Sequence, residues 1–482
     1  MNLTIIFRIL GMLLMLFSLS LMAPLLMAWF SGDPMLNGFV RTLAITLSIG
    51  FLLWAPNRRV QQELRARDGF LITSLFWVVL GLFGALPFAL EEGAGLSATD
   101  AVFESISGLT TTGATVITGL DQLPSPLLLY RQLLQWLGGV GIIVVAVAIL
   151  PMLGVGGMQL YRAEMPGPAK DSKLRPRVTE TAKVLFAIYV LLTVVFGLSY
   201  WAAGMSGFDA VCHAFSTVAI GGFSTHDDSM GYFQSPTILL LCSLFMIISA
   251  INFGLHFAAW RWRSLWPYLR DSEAIFFIGV VSVCVAVTCL MLLISGTFNV
   301  SDSVTHGIFQ AVSITTTAGF STADFAAWPS FLPLLLLLSS FMGGCVGSTG
   351  GGIKAMRLML IMKQGVRELK QLVHPSAVIP LKVGKRRVEA RVVSAVWSFF
   401  AVYMAVFLVV LILLVGLGLD FETAFSAVAA ALNNLGPGLG KVAHHYADIP
   451  DSAKWLLAMT MLLGRLEVFT LLVIFTPAFW RP

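Results

Sequence analysis

Four short stretches of this chain carry an order of residue types suited to holding a cation without a carboxylate at the point of contact. Each opens on an acid, continues through an amphipathic segment and ends in a glycine-bearing turn. They read DAVFESISGLTTTGAT (Asp100–Thr115), DAVCHAFSTVAIGGFST (Asp209–Thr225), DSVTHGIFQAVSITTTAGFST (Asp302–Thr322) and ETAFSAVAAALNNLGPGLG (Glu422–Gly440). An acid suits the positive N-terminal pole of a short helix, and the C-terminal pole, worth about half a negative charge, attracts a cation. Glycine reaches dihedrals closed to other residues, so carbonyl oxygens can turn inward and replace a shed hydration shell. Thr110, Thr111, Thr112, Thr315, Thr316 and Thr317 could add hydroxyl oxygens. The key glycines, Gly113, Gly222, Gly319 and Gly436, lie 109, 97 and 117 residues apart. An element recurring about every hundred residues marks internal duplication. Counted from the acid, the first two copies place the glycine 13 residues on, whereas the fourth needs 14 from Glu422 and the third keeps 13 only from His306. The fourth copy is therefore expected to be imperfect.

Such turns need a scaffold, and the composition says which kind. Of 482 residues 57% are hydrophobic and only 11% charged, against about 25% charged in a soluble protein. Runs able to cross a bilayer, which takes about 20 apolar residues, recur near 3–30, 37–56, 69–90, 127–153, 182–204, 235–259, 274–296, 329–362, 392–419 and 453–477. The first run is too long for a signal-peptide core and is expected to be retained. The four turn-bearing stretches are too short to cross. Non-helical backbone survives at membrane depth only where it is buried or lines a wet cavity, so they are expected to dip in and surround one axis. The fold expected is an all-α integral membrane protein of about ten spans, with four pseudo-repeats of span, pore helix and span around one pore. Two extra N-terminal spans stand outside the repeat. The division is 1–67 for that hairpin, then 68–160, 161–272, 273–391 and 392–482 for the four pore units.

Charge sets the orientation. The connections Arg58–Asp68, Arg162–Lys183, Arg261–Glu273 and Lys354–Arg391 hold 23 of the 30 basic residues and 9 of the 25 acids, leaving +14 there and −9 elsewhere. Basic loops stay cytoplasmic, which puts both termini in the cytoplasm. The pI near 9.0 is thus an orientation signal and not a nucleic-acid surface, which would need one contiguous basic patch on a soluble domain. The five cysteines, Cys212, Cys242, Cys284, Cys289 and Cys345, lie in or beside apolar runs with no CxxC pair, so neither zinc nor a disulfide framework is indicated.

With TTTGAT, IGGFST, TTTAGFST and NNLGPGLG in place, the chain resembles the Trk/Ktr/HKT superfamily of potassium transporters, and within it the bacterial TrkH-type membrane subunit, over essentially its whole length. The resemblance implies a K+ selectivity filter from Thr111, Thr112 and Gly113; Ile220, Gly221 and Gly222; Thr317, Ala318 and Gly319; and Asn434, Leu435 and Gly436. Some relatives carry serine in place of the first glycine and favour sodium, so glycine in all four turns implies potassium. The resemblance further implies a homodimer in a bacterial inner membrane, opened by a cytosolic ring of NAD- or ATP-binding regulatory subunits of the TrkA type.

The run 329–362 is longer than one crossing and contains GGCVGSTGGG, Gly343 to Gly352. Six glycines in ten residues, each costing about 1 kcal/mol against alanine, rule out a continuous helix, so the chain must break there. In the family this segment is an intramembrane loop beneath the filter, which makes Gly343, Gly344, Gly347, Ser348, Thr349, Gly350, Gly351 and Gly352 the expected gate. The segment imitates a phosphate-binding loop, but that motif needs lysine directly after its last glycine. Here Ile353 precedes Lys354, so this chain is expected to bind no nucleotide. Arg465 lies mid-membrane in the last run, where a charge costs about 2.5–3.5 kcal/mol on insertion scales and must face protein or water. It is expected beside the pore as a positive barrier, matching the family's arginine. Glu467, two residues on, points elsewhere around a helix and is not its automatic partner. A Na+-permeable or ion-coupled secondary cation symporter is the alternative reading, although an inverted-repeat transporter would show two halves of opposite topology. No HExxH or GxSxG constellation supports an enzyme.

Overall fold

The computed structural model describes residues 3–59, 66–90, 95–144, 174–384 and 386–481. Long apolar helices form its outer wall and short ones its interior; in chain order α1 (Leu3–Ser20), α2 (Met22–Ser31), α3 (Leu36–Trp54), α4 (Ala66–Gly84), α5 (Ala98–Leu109), α6 (Ser125–Val144) and α7 (Leu174–Ala202) come first. They are followed by α8 (Gly207–Ala219), α9 (Pro236–Ala250), α10 (Phe253–Trp262), α11 (Ser272–Ser295), α12 (Val300–Thr315), α13 (Leu332–Ser339) and α14 (Ala355–Val373). A short hairpin pairs Lys382–Val383 with Arg386–Arg387; α15 (Ala390–Gly416), α16 (Phe421–Asn433), α17 (Asp451–Arg465) and α18 (Phe469–Leu472) follow, with a last helical turn at Pro477–Trp480.

Two kinds of helix separate by burial. On α7 Leu191, Val194 and Leu198 are exposed at helical spacing, as are Val283, Leu290 and Ile294 on α11 and Val409 and Ile412 on α15. Water does not tolerate such stripes, whereas lipid does. The short helices α5, α8, α12 and α16 are buried nearly all round: every residue from Ala101 to Leu109 and from Ala427 to Asn433 is inside. A helix apolar on all sides belongs in the interior.

Among the described residues six helices are long and apolar enough to cross a membrane, or up to eight when two bent pairs are each taken as one span. Three of the ten expected runs are interrupted, two of them where no break was expected and the third at the glycine segment, where one was. The run 235–259 turns by 95° between α9 and α10, where Asn252 caps the new helix by accepting the Gly254 amide at 2.7 Å. The run 453–477 turns by 108° after Arg465, through Glu467 (φ 55°) and Val468 (φ 54°). A β-branched residue in the left-handed region is strained, so surrounding contacts must hold it. The run 329–362 stops at Ser339 and resumes as a helix at Ala355. Past Val144 the run 127–153 lies outside the described residues, as do 162–173 of the basic connection Arg162–Lys183 and the boundary at 160/161.

Candidate cation site

Each short helix is started by a side-chain cap. Ser97 accepts the Asp100 amide (3.1 Å), Ser206 that of Asp209 (3.0 Å), Asn299 that of Asp302 (2.9 Å) and Asp420 that of Thr423 (2.9 Å), the usual chemistry of a helix N-terminus. Counted from these caps, Gly113, Gly222 and Gly436 are each 16 residues on, and Gly319 is 20. The fourth copy is regular after all. The third carries about one extra turn, at 3.6 residues per turn. Counting from the acid misled because Glu422 is not the counterpart of Asp100; the fourth acid that matters is the cap itself.

The four turns then repeat one backbone shape. The residue two before the glycine and the glycine itself have positive φ: Thr111 (54°) and Gly113 (82°), Ile220 (54°) and Gly222 (78°), Thr317 (66°) and Gly319 (82°), Asn434 (54°) and Gly436 (94°). Each glycine faces the turn that follows. A Cβ on Gly113 would lie 2.1 Å from the Gly221 oxygen, on Gly222 2.1 Å from that of Ala318, on Gly319 2.0 Å from that of Leu435, and on Gly436 2.8 Å from that of Thr112. The order runs first to second to third to fourth and back to first, so the turns close a ring lined by peptide oxygens.

Most of the threonine hydroxyls named from the sequence are engaged elsewhere. Thr110 and Thr316 donate to Ile106 O and Val312 O in their own helices, and Thr315 pairs with Ser339. Thr112 joins Thr110 and accepts from Asn434 Nδ2 at 3.0 Å. Thr111 Oγ1 is buried without a partner among the described residues.

The ring is braced by groups that the motif reading passed over. Arg131 on α6 donates from Nε to Glu104 (2.9 Å), from Nη1 to Ser224 O (3.0 Å) and from Nη2 to Thr115 Oγ1 (3.2 Å), with its guanidinium 4.2 Å over Phe223. Glu104 also accepts the Val116 amide at 2.9 Å. This fully buried pair joins the first turn to the second. Gln135 donates to Gly221 O (2.6 Å) and accepts from Phe223 N (3.1 Å), and Tyr446 donates to Gly436 O (2.7 Å). Glu104 and Arg131 were findable by the rule that singled out Arg465, a charge inside an apolar run; Gln135 and Tyr446 had no such signal. Outside the ring, His226 pairs with Asp121 (2.5 Å) and holds that carboxyl below the usual range, tying the two outer loops. Breaking a buried pair costs about 3–5 kcal/mol because a charge is stranded. Arg131→Met is therefore expected to lower the melting temperature of the purified protein sharply, and adding Glu104→Gln should recover most of the loss. Equal melting of all three proteins would show that the pair carries no such weight.

Beneath the ring lies the glycine segment. Gly343 (φ 63°), Gly347 (78°) and Gly352 (72°) fold it back on itself, with the Gly343 Cβ position 2.0 Å from Gly351 O and that of Gly344 2.5 Å from Ser348 Oγ. Glu273 ties the segment to the helix that follows it, accepting the Val346 amide at 2.8 Å and the Met356 amide at 3.1 Å. Cys345 N donates to Ala250 O (2.8 Å), and Lys354 reaches Gly350 O. The upper side meets the ring: Thr349 Oγ1 donates to Val218 O (2.9 Å), Gly351 N to Thr317 Oγ1 (2.8 Å) and Gly352 N to Asn433 O (3.0 Å). Arg465 is 3% exposed and bridges Thr349 O (3.0 Å) and Gly138 O (3.1 Å). Glu467 pairs instead with Arg357 at 2.5 Å.

Long lipid-facing helices around a buried ring of peptide oxygens define a multi-pass membrane protein of the transporter class. The chain belongs to the TrkH family of cation transport proteins, whose model matches residues 36–481. It is 57% identical to the Trk system potassium uptake protein TrkH of Halomonas elongata over 481 residues, all of both chains. Identity with the TrkH of Escherichia coli K12 is 55% over 475 residues, 98% of each chain. The crystal structure of the potassium transporter TrkH from Vibrio parahaemolyticus superposes with a TM-score of 0.93 at 53% identity, covering both chains fully. These relatives are transporters and not enzymes.

Proposed function

We propose that this chain is the K+-conducting membrane subunit of a Trk-type potassium uptake system, with the four turns as its selectivity filter. The supporting observation is the closed ring: four turns of one backbone shape, each packed on the next, set peptide oxygens about a common centre. Four short helices end at that centre, and their negative poles favour a cation with no carboxylate in the ring. K+ is cargo here, and this chain carries no nucleotide site. The glycine segment and Arg465 form the gate, since they lie directly below the ring with a full positive charge. The arrangement is four span–pore helix–span units after two extra helices, in a bacterial inner membrane with both termini cytoplasmic. It works as a homodimer under cytosolic NAD- or ATP-binding subunits of the TrkA type, a partnership inferred from the family resemblance.

The test is ion selectivity. A Cβ at Gly113 must displace the Gly221 oxygen, so Gly113→Ser reshapes the ring and is expected to admit more Na+ relative to K+. Reversal potentials across K+ and Na+ gradients in proteoliposomes read this directly. Identical potentials for the serine variant and its parent would remove Gly113 from the filter.

A further inference from the structure

Resting on the reading of 343–352 as a gate, we propose that the closed loop occupies a monovalent-cation site in its own pore. Its N–H and O–H groups hold the oxygens that a partly hydrated K+ holds once the loop withdraws. The hydrogen bonds from the loop to the helix ends all run one way. Thr349 Oγ1, Gly351 N and Gly352 N are donors, and Val218 O, Thr317 Oγ1 and Asn433 O are acceptors. Val218 and Asn433 stand at the C-terminal ends of α8 and α16, and Thr317 follows the end of α12. The fourth helix end, that of α5, is met through Gly138, whose Cβ position lies 1.8 Å from Leu109 O. Gly138 O accepts from Arg465. Three of the four helix ends are thus faced by loop donors, and the fourth packs on the residue whose carbonyl Arg465 holds, where the pooled negative poles would draw a cation.

The acceptors are three carbonyls and a hydroxyl, a neutral set of hard oxygens suited to an alkali cation. Val218, Thr317 and Asn433 are buried, so a loop that left without replacement would strand their oxygens in a dry interior. One further oxygen already waits: Thr111 Oγ1, the first turn's counterpart of Thr317 Oγ1, is buried with no partner among the described residues. Ordinary capping of helix ends explains each bond singly. It does not explain why one loop serves three of the four ends. Closure and cation occupancy at this level therefore exclude each other, and a permeant cation pushes the loop toward its withdrawn state.

Cys345 sits in the loop and is 1% exposed, which makes it a reporter in the natural chain. Its alkylation by a small water-soluble reagent, followed by peptide mass spectrometry on the full-length protein, is expected to run several-fold faster in KCl or RbCl than in N-methylglucamine chloride at equal ionic strength. Thr317→Val removes the acceptor of the Gly351 amide and should speed alkylation even in N-methylglucamine, while Thr317→Ser should behave as the parent. A parental rate indifferent to the cation overturns the inference. If Gly113→Ser still shifts the reversal potential in that case, the filter reading stands and only the competition fails; if neither responds, both fall.

Discussion

Gly319→Ala is expected to reduce Rb+ uptake by proteoliposomes to less than about a tenth of the parent value, by the reasoning that positive φ and close approach each cost of order 1–3 kcal/mol. The methyl would sit 2.0 Å from Leu435 O and 3.0 Å from Pro437 Cδ, at a residue whose φ is 82°. Backbone on the facing turn cannot retreat as a flexible side chain can, and the facing turn is itself packed on Gly113. The same logic ranks the ring. Gly113→Ala and Gly222→Ala, with contacts of 2.1 Å, should be as severe, and Gly436→Ala, at 2.8 Å, the mildest. Uptake normalised to folded protein tests the order. Alanine at Gly319 with parental flux would mean that the turns do not line the path.

Arg465→Ala should act in the opposite direction and raise flux in the absence of any regulatory subunit. The guanidinium contributes a buried positive charge and two hydrogen bonds that join the loop at Thr349 O to α6 at Gly138 O. Removing it takes away both the repulsion of an incoming cation and one anchor of the loop. Arg465→Lys keeps the charge but presents a point donor in place of a fork, so it should fall between parent and alanine. Unchanged or lower flux from well-folded alanine variant would defeat the gate assignment. The loop's remaining anchors, Glu273 among them, would then be the ones to examine.

The sequence was most legible where chemistry demands a particular residue type. Glycine at 113, 222, 319 and 436 follows from positive φ and close approach, and six glycines in ten residues announced the break after Ser339. Arg465 stood out as a charge in an apolar run, and its independence from Glu467 holds in three dimensions. Helix phase was less readable. Asp420 rather than Glu422 starts the fourth helix, because a cap lies outside the helix and carries no periodicity. The bends at Ile251 and Leu466 fall inside long apolar runs, where the polar neighbours Asn252, Arg465 and Glu467 do not by themselves register a change of direction. Gln135 and Tyr446 were invisible because a neutral polar residue in a span gains meaning only from the backbone it meets.

The three interruptions after Ala250, Ser339 and Arg465 lie at one level, since Cys345 bonds to Ala250 and Arg465 to Thr349. The molecule is therefore built as a stiff upper storey resting on jointed legs. A pull applied from below would turn a joint before it strained the oxygens above, so that, on the proposed reading of the ring as filter, movement on the lower side need not disturb it.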